Sequence, residues 1–253
     1  MPISVVINTY NAEKHLARVL DTVKDFDEIV ICDMESTDST LDIANKYGCK
    51  IVTFPKGNCV SAEPARTFAI QSASSEWVLV IDADELVTPE LKQYLYDIIE
   101  KPDCPAGLWI PRKNYFMGKF MHAFYPDYLL RFFRKEGTVW PPEVHTFPVV
   151  QGKTKKIPRG RKELAFVHLA NDSMYDCIRK INQYTENEVE KKSGKHYGVA
   201  ALIFKPAFRF FKAYVLKKGF LDGKAGFINA YIQAVYQIVM LGKIAEKECQ
   251  NPS

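Results

Sequence analysis

The stretch WVLVIDADE, residues 77–85, decides the fold. Residues 78–82 read as a buried strand, because aliphatic and β-branched side chains follow one another with no polar break before an acid. Asp82, Ala83, Asp84 and Glu85 then leave the strand together. Two carboxylates one residue apart, at the carboxyl end of a buried strand, can converge on one hard cation from a tight turn. Oxygen ligands of this kind suit Mg2+ or Mn2+, with coordination positions left for substrate phosphates. A polar strand end followed by a helix cap gives the same letters, since Thr88-Pro89-Glu90 opens a helix just beyond. The residues upstream weigh between the two readings.

Upstream, apolar runs at 3–7, 28–32 and 50–54 alternate with helical patterns at 12–24, from the Ser36-Thr37-Asp38-Ser39 cap to about 47, and from about 62 or 64 to 72. Gly48 stops the second helix. Strand and helix thus alternate through the first 85 residues, which predicts parallel strands with helices on both faces and a ligand crevice at the carboxyl strand ends. Polar residues stand there: Thr9, Asn11 and Glu13 after the first strand, Asp33 after the second, Asp82 and Asp84 after the fourth. Neither a G-x-G-x-x-G fingerprint nor a G-K-[ST] loop is present, so bound phosphates would need a metal and basic side chains in place of a glycine-rich cradle.

The 253 residues can bury a substantial core, with 47% hydrophobic and 25% charged residues. The net charge of +4 conceals an asymmetry: residues 1–100 hold 8 Lys/Arg against 17 Asp/Glu, whereas residues 151–224 hold 17 against 7. A long basic segment seeks an anionic partner: nucleic acid, a phosphorylated saccharide or a lipid surface. The six cysteines form no C-x-x-C pair, which points to reduced thiols and no zinc site. Nothing at the N-terminus resembles a signal peptide, so the expected location is cytoplasmic, with peripheral attachment to the inner face of the cytoplasmic membrane as an option.

TYNAE after the first strand, D-x-x-S-T-D at 33–38, Arg66 and DADE together resemble family 2 glycosyltransferases. The likeness continues through PRKNYFMGKF (111–120), YPDYLLRFFR (125–134) and GFLDGKAGF (219–227), and is greatest to the small bacterial branch that glycosylates the lipopolysaccharide inner core. The resemblance implies a GT-A fold, that is, α/β with a mainly parallel sheet and helices on both faces, here with a helical basic C-terminal extension. It also implies roles. Thr9, Tyr10, Asn11 and Glu13 would line a uridine pocket, Asp33 would meet uracil or ribose, and Arg66 would approach the donor phosphates. Asp82 and Asp84 would flank the diphosphate, Asp84 as the more direct ligand of Mg2+ or Mn2+. The chain departs from the family pattern at Glu35 (usually glycine), Thr67 (usually asparagine) and the VHT of 144–146 (usually V-H-E).

From residue 106 an aromatic, basic region follows, including Trp109, Arg112, Tyr115, Phe120 and Tyr125. Stacking rings between cations suit single-stranded nucleic acid or saccharide, and the acid-lined crevice favours saccharide, with no nucleic acid as partner. Sugar transfer needs a base for the acceptor hydroxyl and positive charge for the leaving diphosphate. Asp127, after a proline-stiffened turn, is the candidate base, ahead of Glu85 and then Glu143; a turn or cap role is the bland alternative. Arg131 would contact donor phosphate or hold Asp127 ionised, and a structural surface arginine is the alternative. His145 is a candidate third metal or phosphate ligand, with a hydrogen-bonded structural histidine as the alternative, and is ranked above His168; His15, His122 and His196 read as surface residues.

Beyond residue 199, Lys205, Arg209 and Lys212 form a basic helical stripe beside an apolar one of Phe204, Phe208, Phe211 and Val215. Such a helix lies in a membrane interface or packs on protein. Residues 225–242 carry no charge, but Asn229, Gln233 and Gln237 recur every fourth position, favouring an amphipathic helix against protein, membrane surface or a second subunit over a span. The expected division is a catalytic domain at 1–195, split at 100 into nucleotide-sugar and acceptor halves, and an extension at 196–253, the seat of a membrane or homo-oligomer contact. The expected activity is inverting, metal-dependent transfer of a sugar, glucose first, from a UDP-sugar to a saccharide or glycolipid acceptor such as lipopolysaccharide core. Polyprenyl phosphate, capsule or glycoprotein glycan are alternative acceptors. A non-catalytic binding protein using the basic half is the remote alternative.

Overall fold

The computed structural model describes residues 1–59, 61–143, 146–169, 173–192 and 196–250. The chain divides into two compact units, 1–113 with 126–169, and 114–125 with 170–253. The boundary expected at 195 therefore falls inside the second unit.

In the first unit, β1 (Ile3–Thr9), β2 (Glu28–Asp33), β3 (Lys50–Thr53) and β4 (Trp77–Asp82) are parallel, in the order β3-β2-β1-β4. α1 (Glu13–Val23), α2 (Thr40–Lys46) and α3 (Glu63–Gln71) connect them. Every residue of β1 is buried. A parallel strand covered on both faces reads as an unbroken apolar run, as the 77–85 stretch does. Ile3, Val5, Ile7, Leu79 and Ile81 pack with Leu16, Val19 and Leu20 of α1 and Leu91 of α4 (Pro89–Ile99). Val6, Val30, Val78 and Val80 pack on the other face with Ala65, Ala69 and Ile70 of α3. Thr88 caps α4, its hydroxyl accepting from the Leu91 N–H at 3.1 Å.

β5 is the short Glu85–Leu86 strand. The sheet then turns antiparallel: β8 (Asp127–Arg134) pairs with β4 and with β6 (Gly107–Phe116). β9 (Thr154–Lys156) lies parallel to β6, and β10 (Phe166–His168) runs antiparallel to β5.

The second unit holds β7 (Lys119–Phe120), paired with Tyr115 and Phe116 at the end of β6, and three helices: α5 (Met174–Lys191), α6 (Val199–Phe211) and α7 (Gly223–Gln250). A π-helical turn, Lys212–Leu216, continues α6. The GFLDGKAGF run makes the tight joint into α7: a Cβ on Gly226 would sit 1.9 Å from the Gly219 carbonyl oxygen, so only glycine fits. Asp222, buried in this joint, accepts from the backbone N–H groups of His122 (2.8 Å) and Ala123 (3.1 Å) and lies 2.7 Å from His122 Nδ1. His122, expected at the surface, keeps 46% of its side chain exposed and also anchors this joint.

Candidate active site

The Ser36-Thr37-Asp38-Ser39 run caps α2 through Asp38, whose Oδ1 accepts from the N–H of the first helical residue, Thr40, at 3.0 Å, while the N-cap Ser39 makes no side-chain bond. The run also zips the loop after β2 to the loop after β1. Asp33, buried, accepts from the Thr9 hydroxyl (2.8 Å), the Ser36 hydroxyl (2.6 Å) and the Ser36 N–H (2.8 Å). The Asn11 side-chain oxygen accepts from the Thr37 N–H at 2.8 Å, and Glu13 accepts from the Ser39 N–H at 3.1 Å. Five of the residues expected around a nucleoside are therefore close in space, with four of them linked into one rigid edge. Tyr10, the fifth, keeps 48% of its surface exposed, and Lys56 Nζ lies 4.6 Å from its ring centroid. Asn11 and Glu35 both adopt left-handed backbone, at φ 49° and 62°.

At the end of β4 the two aspartates have different partners. Asp82 accepts from Arg66 Nη2 (2.7 Å) on one oxygen and from Arg131 Nη2 (2.7 Å) on the other, with Arg131 Nη1 3.2 Å from the first. Burial opposes the Asp82 charge, but the Arg131 and Arg66 guanidiniums outweigh it and hold the carboxyl well below the usual carboxylate range. Asp82, expected both at the diphosphate and as a metal ligand, has both oxygens engaged by arginine. The Trp140 ring lies against both guanidiniums, 4.6 Å from Arg66 and 5.3 Å from Arg131. Thr67, the residue that departs from the family's asparagine, holds Trp140 by its backbone: its hydroxyl donates to the Trp140 carbonyl and accepts from the Trp140 N–H, both at 2.9 Å. Trp140 was not among the expected site residues. Arg66 Nε and Nη1 and the side-chain amide of Asn8 at the end of β1 are buried without a hydrogen-bond partner among the described residues.

Asp84 faces His168 instead, Oδ2 to Nε2 at 3.5 Å. The register explains the meeting across 84 positions. His168 of β10 stands opposite Glu85 of β5, and the Leu169 N–H donates to the Asp84 carbonyl at 2.8 Å. His145, preferred over His168 on sequence, lies outside the described residues. The sequence signal for His168 is the run AFVH, an apolar strand ending on a ligand-type residue, as β1, β2 and β4 do.

Asp127 begins β8 opposite Arg112 of β6. Arg112 Nε and Nη2 both donate to Asp127 Oδ2, at 2.9 and 2.7 Å, and its Nη1 donates to Glu85 Oε1 at 2.9 Å. Burial disfavours the Arg112 charge, yet Glu85 and Asp127 overcome it and keep the guanidinium more firmly protonated than usual. The arginine that holds Asp127 is therefore Arg112. Arg131, expected as an alternative for that part, is committed to Asp82 because register, not sequence distance, sets which strand residues meet. Glu85 is fully buried, its other oxygen accepting from the Asp82 N–H at 2.9 Å, so this reserve base has no route to an acceptor hydroxyl. Asp127 keeps 36% of its side chain exposed. Glu143 is exposed in the loop after Trp140.

Asp84, with oxygen donors, and His168, with an imidazole nitrogen, suit a divalent cation bound by two protein ligands and completed by phosphate and water. No group of three or more metal-ligating side chains occurs among the described residues.

Known proteins share this architecture. The mannosyltransferase PcManGT of Pyrobaculum calidifontis, solved with GDP-Man and Mn2+, superposes with a TM-score of 0.54 at 14% identity over 97% of this chain and 87% of its own. Residues 1–349 of Staphylococcus aureus TarS, solved with UDP, superpose with a TM-score of 0.50 at 17% identity over 99% and 92%. These are GT-A-like neighbours, and this chain has their fold. In sequence it is 27% identical to the lipopolysaccharide core biosynthesis glycosyltransferase LpsC of Rhizobium meliloti, over 98% of this chain and 93% of LpsC. It is also 27% identical to an uncharacterized glycosyltransferase of Rickettsia conorii, over 98% and 92%. The profile described as Glycosyl transferase family 2 matches residues 4–152, more than half of the 253 residues. The chain therefore belongs to glycosyl transferase family 2.

Proposed function

We propose that the protein transfers a hexose, glucose first among candidates, from a UDP-sugar to a lipid-linked saccharide of the lipopolysaccharide-core type, with inversion. The observation that carries the chemistry is the Arg112 bridge. One guanidinium ties the Asp82–Glu85 turn to Asp127, so the Asp84–His168 pair and a partly exposed carboxylate belong to one connected site. Asp84 and His168 would hold Mg2+ or Mn2+, which when bound supplies positive charge at the leaving diphosphate. The rigid Thr9–Asp33 edge would carry the nucleoside, with the Tyr10 ring as a flat face for uracil. Arg66, with its Nε and Nη1 nitrogens unpaired by described residues, would donate to a donor phosphate while Asp82 keeps it in place.

Asp127 would accept the acceptor hydroxyl proton as that oxygen attacks the anomeric carbon. The bond from that carbon to the diphosphate oxygen breaks on the opposite face, and UDP leaves with the bonding electron pair. Arg112 orients the base through its two bonds to a single oxygen. The acceptor class draws on the likeness to LpsC, and inversion draws on the family resemblance.

Calorimetric titration of UDP against ADP, with and without Mn2+, tests the donor site in wild type and Asp84→Ala. UDP binding that requires both metal and Asp84 is the expected result, and unchanged binding by Asp84→Ala would overturn the metal assignment. Asp127→Asn is expected to lower kcat about 10²–10⁴-fold with little change in UDP affinity. An unaltered rate would remove Asp127 from the reaction.

A further inference from the structure

The second unit has a small apolar core that includes Val189, Met240, Leu241 and Ile244, but α6 and the first half of α7 leave many apolar side chains exposed. Of the thirteen residues of α6, VAALIFKPAFRFF, Pro206 alone is buried. Ile203, Phe204 and Phe208 are 61%, 70% and 57% exposed. On α7 the uncharged polar stripe points inward: Asn229 and Gln237 are buried, whereas Phe227, Tyr231 and Ile238 are exposed. Of 24 large apolar side chains exposed among the described residues, 13 lie between positions 199 and 238. A helix on a water-facing surface turns its polar stripe outward. Apolar exposure this concentrated marks a surface whose working environment is not water.

Charge identifies that environment. Residues 199–224 carry Lys205, Arg209, Lys212, Lys217, Lys218 and Lys224 against one acid, Asp222, and Asp222 is buried on the His122 and Ala123 amides. A second copy docking through the same face would set these cations against one another, which disfavours self-association. A groove of ≈ 330 Å³, lined by Phe204, Phe208 and Gln237 with Lys205 and Arg209, opens on the α6 side of this region. Its mix of apolar lining and two cations matches an acyl chain segment below an anionic headgroup. The stretch Gly219–Cys249 is long and apolar enough to cross a membrane by composition. Close to half of its most apolar part is buried inside the protein, however, and α6 carries a cation on successive turns.

We propose that α6, the turn after it and the outward side of α7 embed in the surface of a bilayer containing anionic lipid, with aromatic and aliphatic side chains at the acyl boundary and lysines among the headgroup phosphates. The face lies flat in the interface and does not span.

Vesicle co-sedimentation of the full chain, without donor or acceptor, tests this independently of the transferase chemistry. Wild type is expected to pellet with phosphatidylcholine vesicles containing phosphatidylglycerol and to remain soluble with phosphatidylcholine alone, the binding weakening as ionic strength rises. The double variant Phe204→Ser/Phe208→Ser is expected to lose about tenfold or more in lipid affinity. Lys212→Glu/Lys217→Glu/Lys218→Glu is expected to lose the anionic preference, at about fivefold per cation. Unchanged circular dichroism and melting verify that each variant is folded. Equal partition of wild type to neutral and anionic vesicles, or no partition to either, overturns the proposal. So does a solution dimer that Phe204→Ser/Phe208→Ser dissolves while wild type ignores vesicles, which would assign the face to a second copy.

Discussion

Asp82 shows how one side chain can serve stability and positioning together. Its carboxylate neutralises Arg66 and Arg131, whose side chains are each only 7% exposed. Asp82→Asn would leave two buried guanidiniums without the carboxylate that hydrogen-bonds both, at an expected cost of about 3–5 kcal/mol in denaturant unfolding at neutral pH. The folded-state pKa is depressed, so as pH falls the unfolded chain takes up the proton first. The stabilisation is complete above about pH 4, the ordinary aspartate range, and declines below it. Urea midpoints measured from neutral pH downward should therefore fall steeply below pH 4 in wild type and less steeply in Asp82→Asn. Glu35 is the opposite case, a residue in left-handed backbone at φ 62° where a side chain is strained. Its Oε2 accepts from the Lys56 N–H at 3.2 Å, a long bond at an exposed site. Glu35→Gly is expected to raise stability by about 1 kcal/mol, read from the urea midpoint.

The pairing of β5 with β10 does more for the site than the two strands' size suggests. It carries His168 to Asp84 and closes the turn through the Leu169 N–H. If this pair holds the metal, His168→Ala should weaken Mn2+-dependent UDP binding by about tenfold or more, as seen by calorimetry, and leave metal-free binding unaltered. A melting temperature lowered without that loss would reduce His168 to a strand-end residue. The β6–β8 pairing acts in the same way on the other side, since register sets Arg112 against Asp127. Both placements follow from ladders between distant strands. β1, β2 and β4, whose polar ends were plain in sequence, owe theirs to the period and end of each strand alone.

Across the whole molecule the thiols are free, as their spacing suggested. Burial pushes Cys32 up to about 12, with the Asp33 charge adding to it, and burial pushes Cys49 up to about 11. Cys249 is exposed. With a disulfide reagent at pH 8, Cys249 should react first, Cys32 should react only on unfolding, and melting should be the same with or without dithiothreitol. Rapid modification of Cys32 in the native state would contradict the described packing. The sequence by itself determined the alternating parallel sheet and the polar strand ends, because apolar period and turn chemistry are local properties of the chain, and its linked motifs carried the resemblance to the family. It also ranked Asp84 above Asp82 as the direct metal ligand, but only through the resemblance. Tertiary structure alone decided that Asp82 is engaged by Arg66 and Arg131, that Arg112 holds Asp127, that Trp140 backs the arginines and that the Asn229–Gln237 stripe faces inward. Each of these depends on register or helix rotation, and a residue's own neighbours in sequence do not encode which distant surface it will meet.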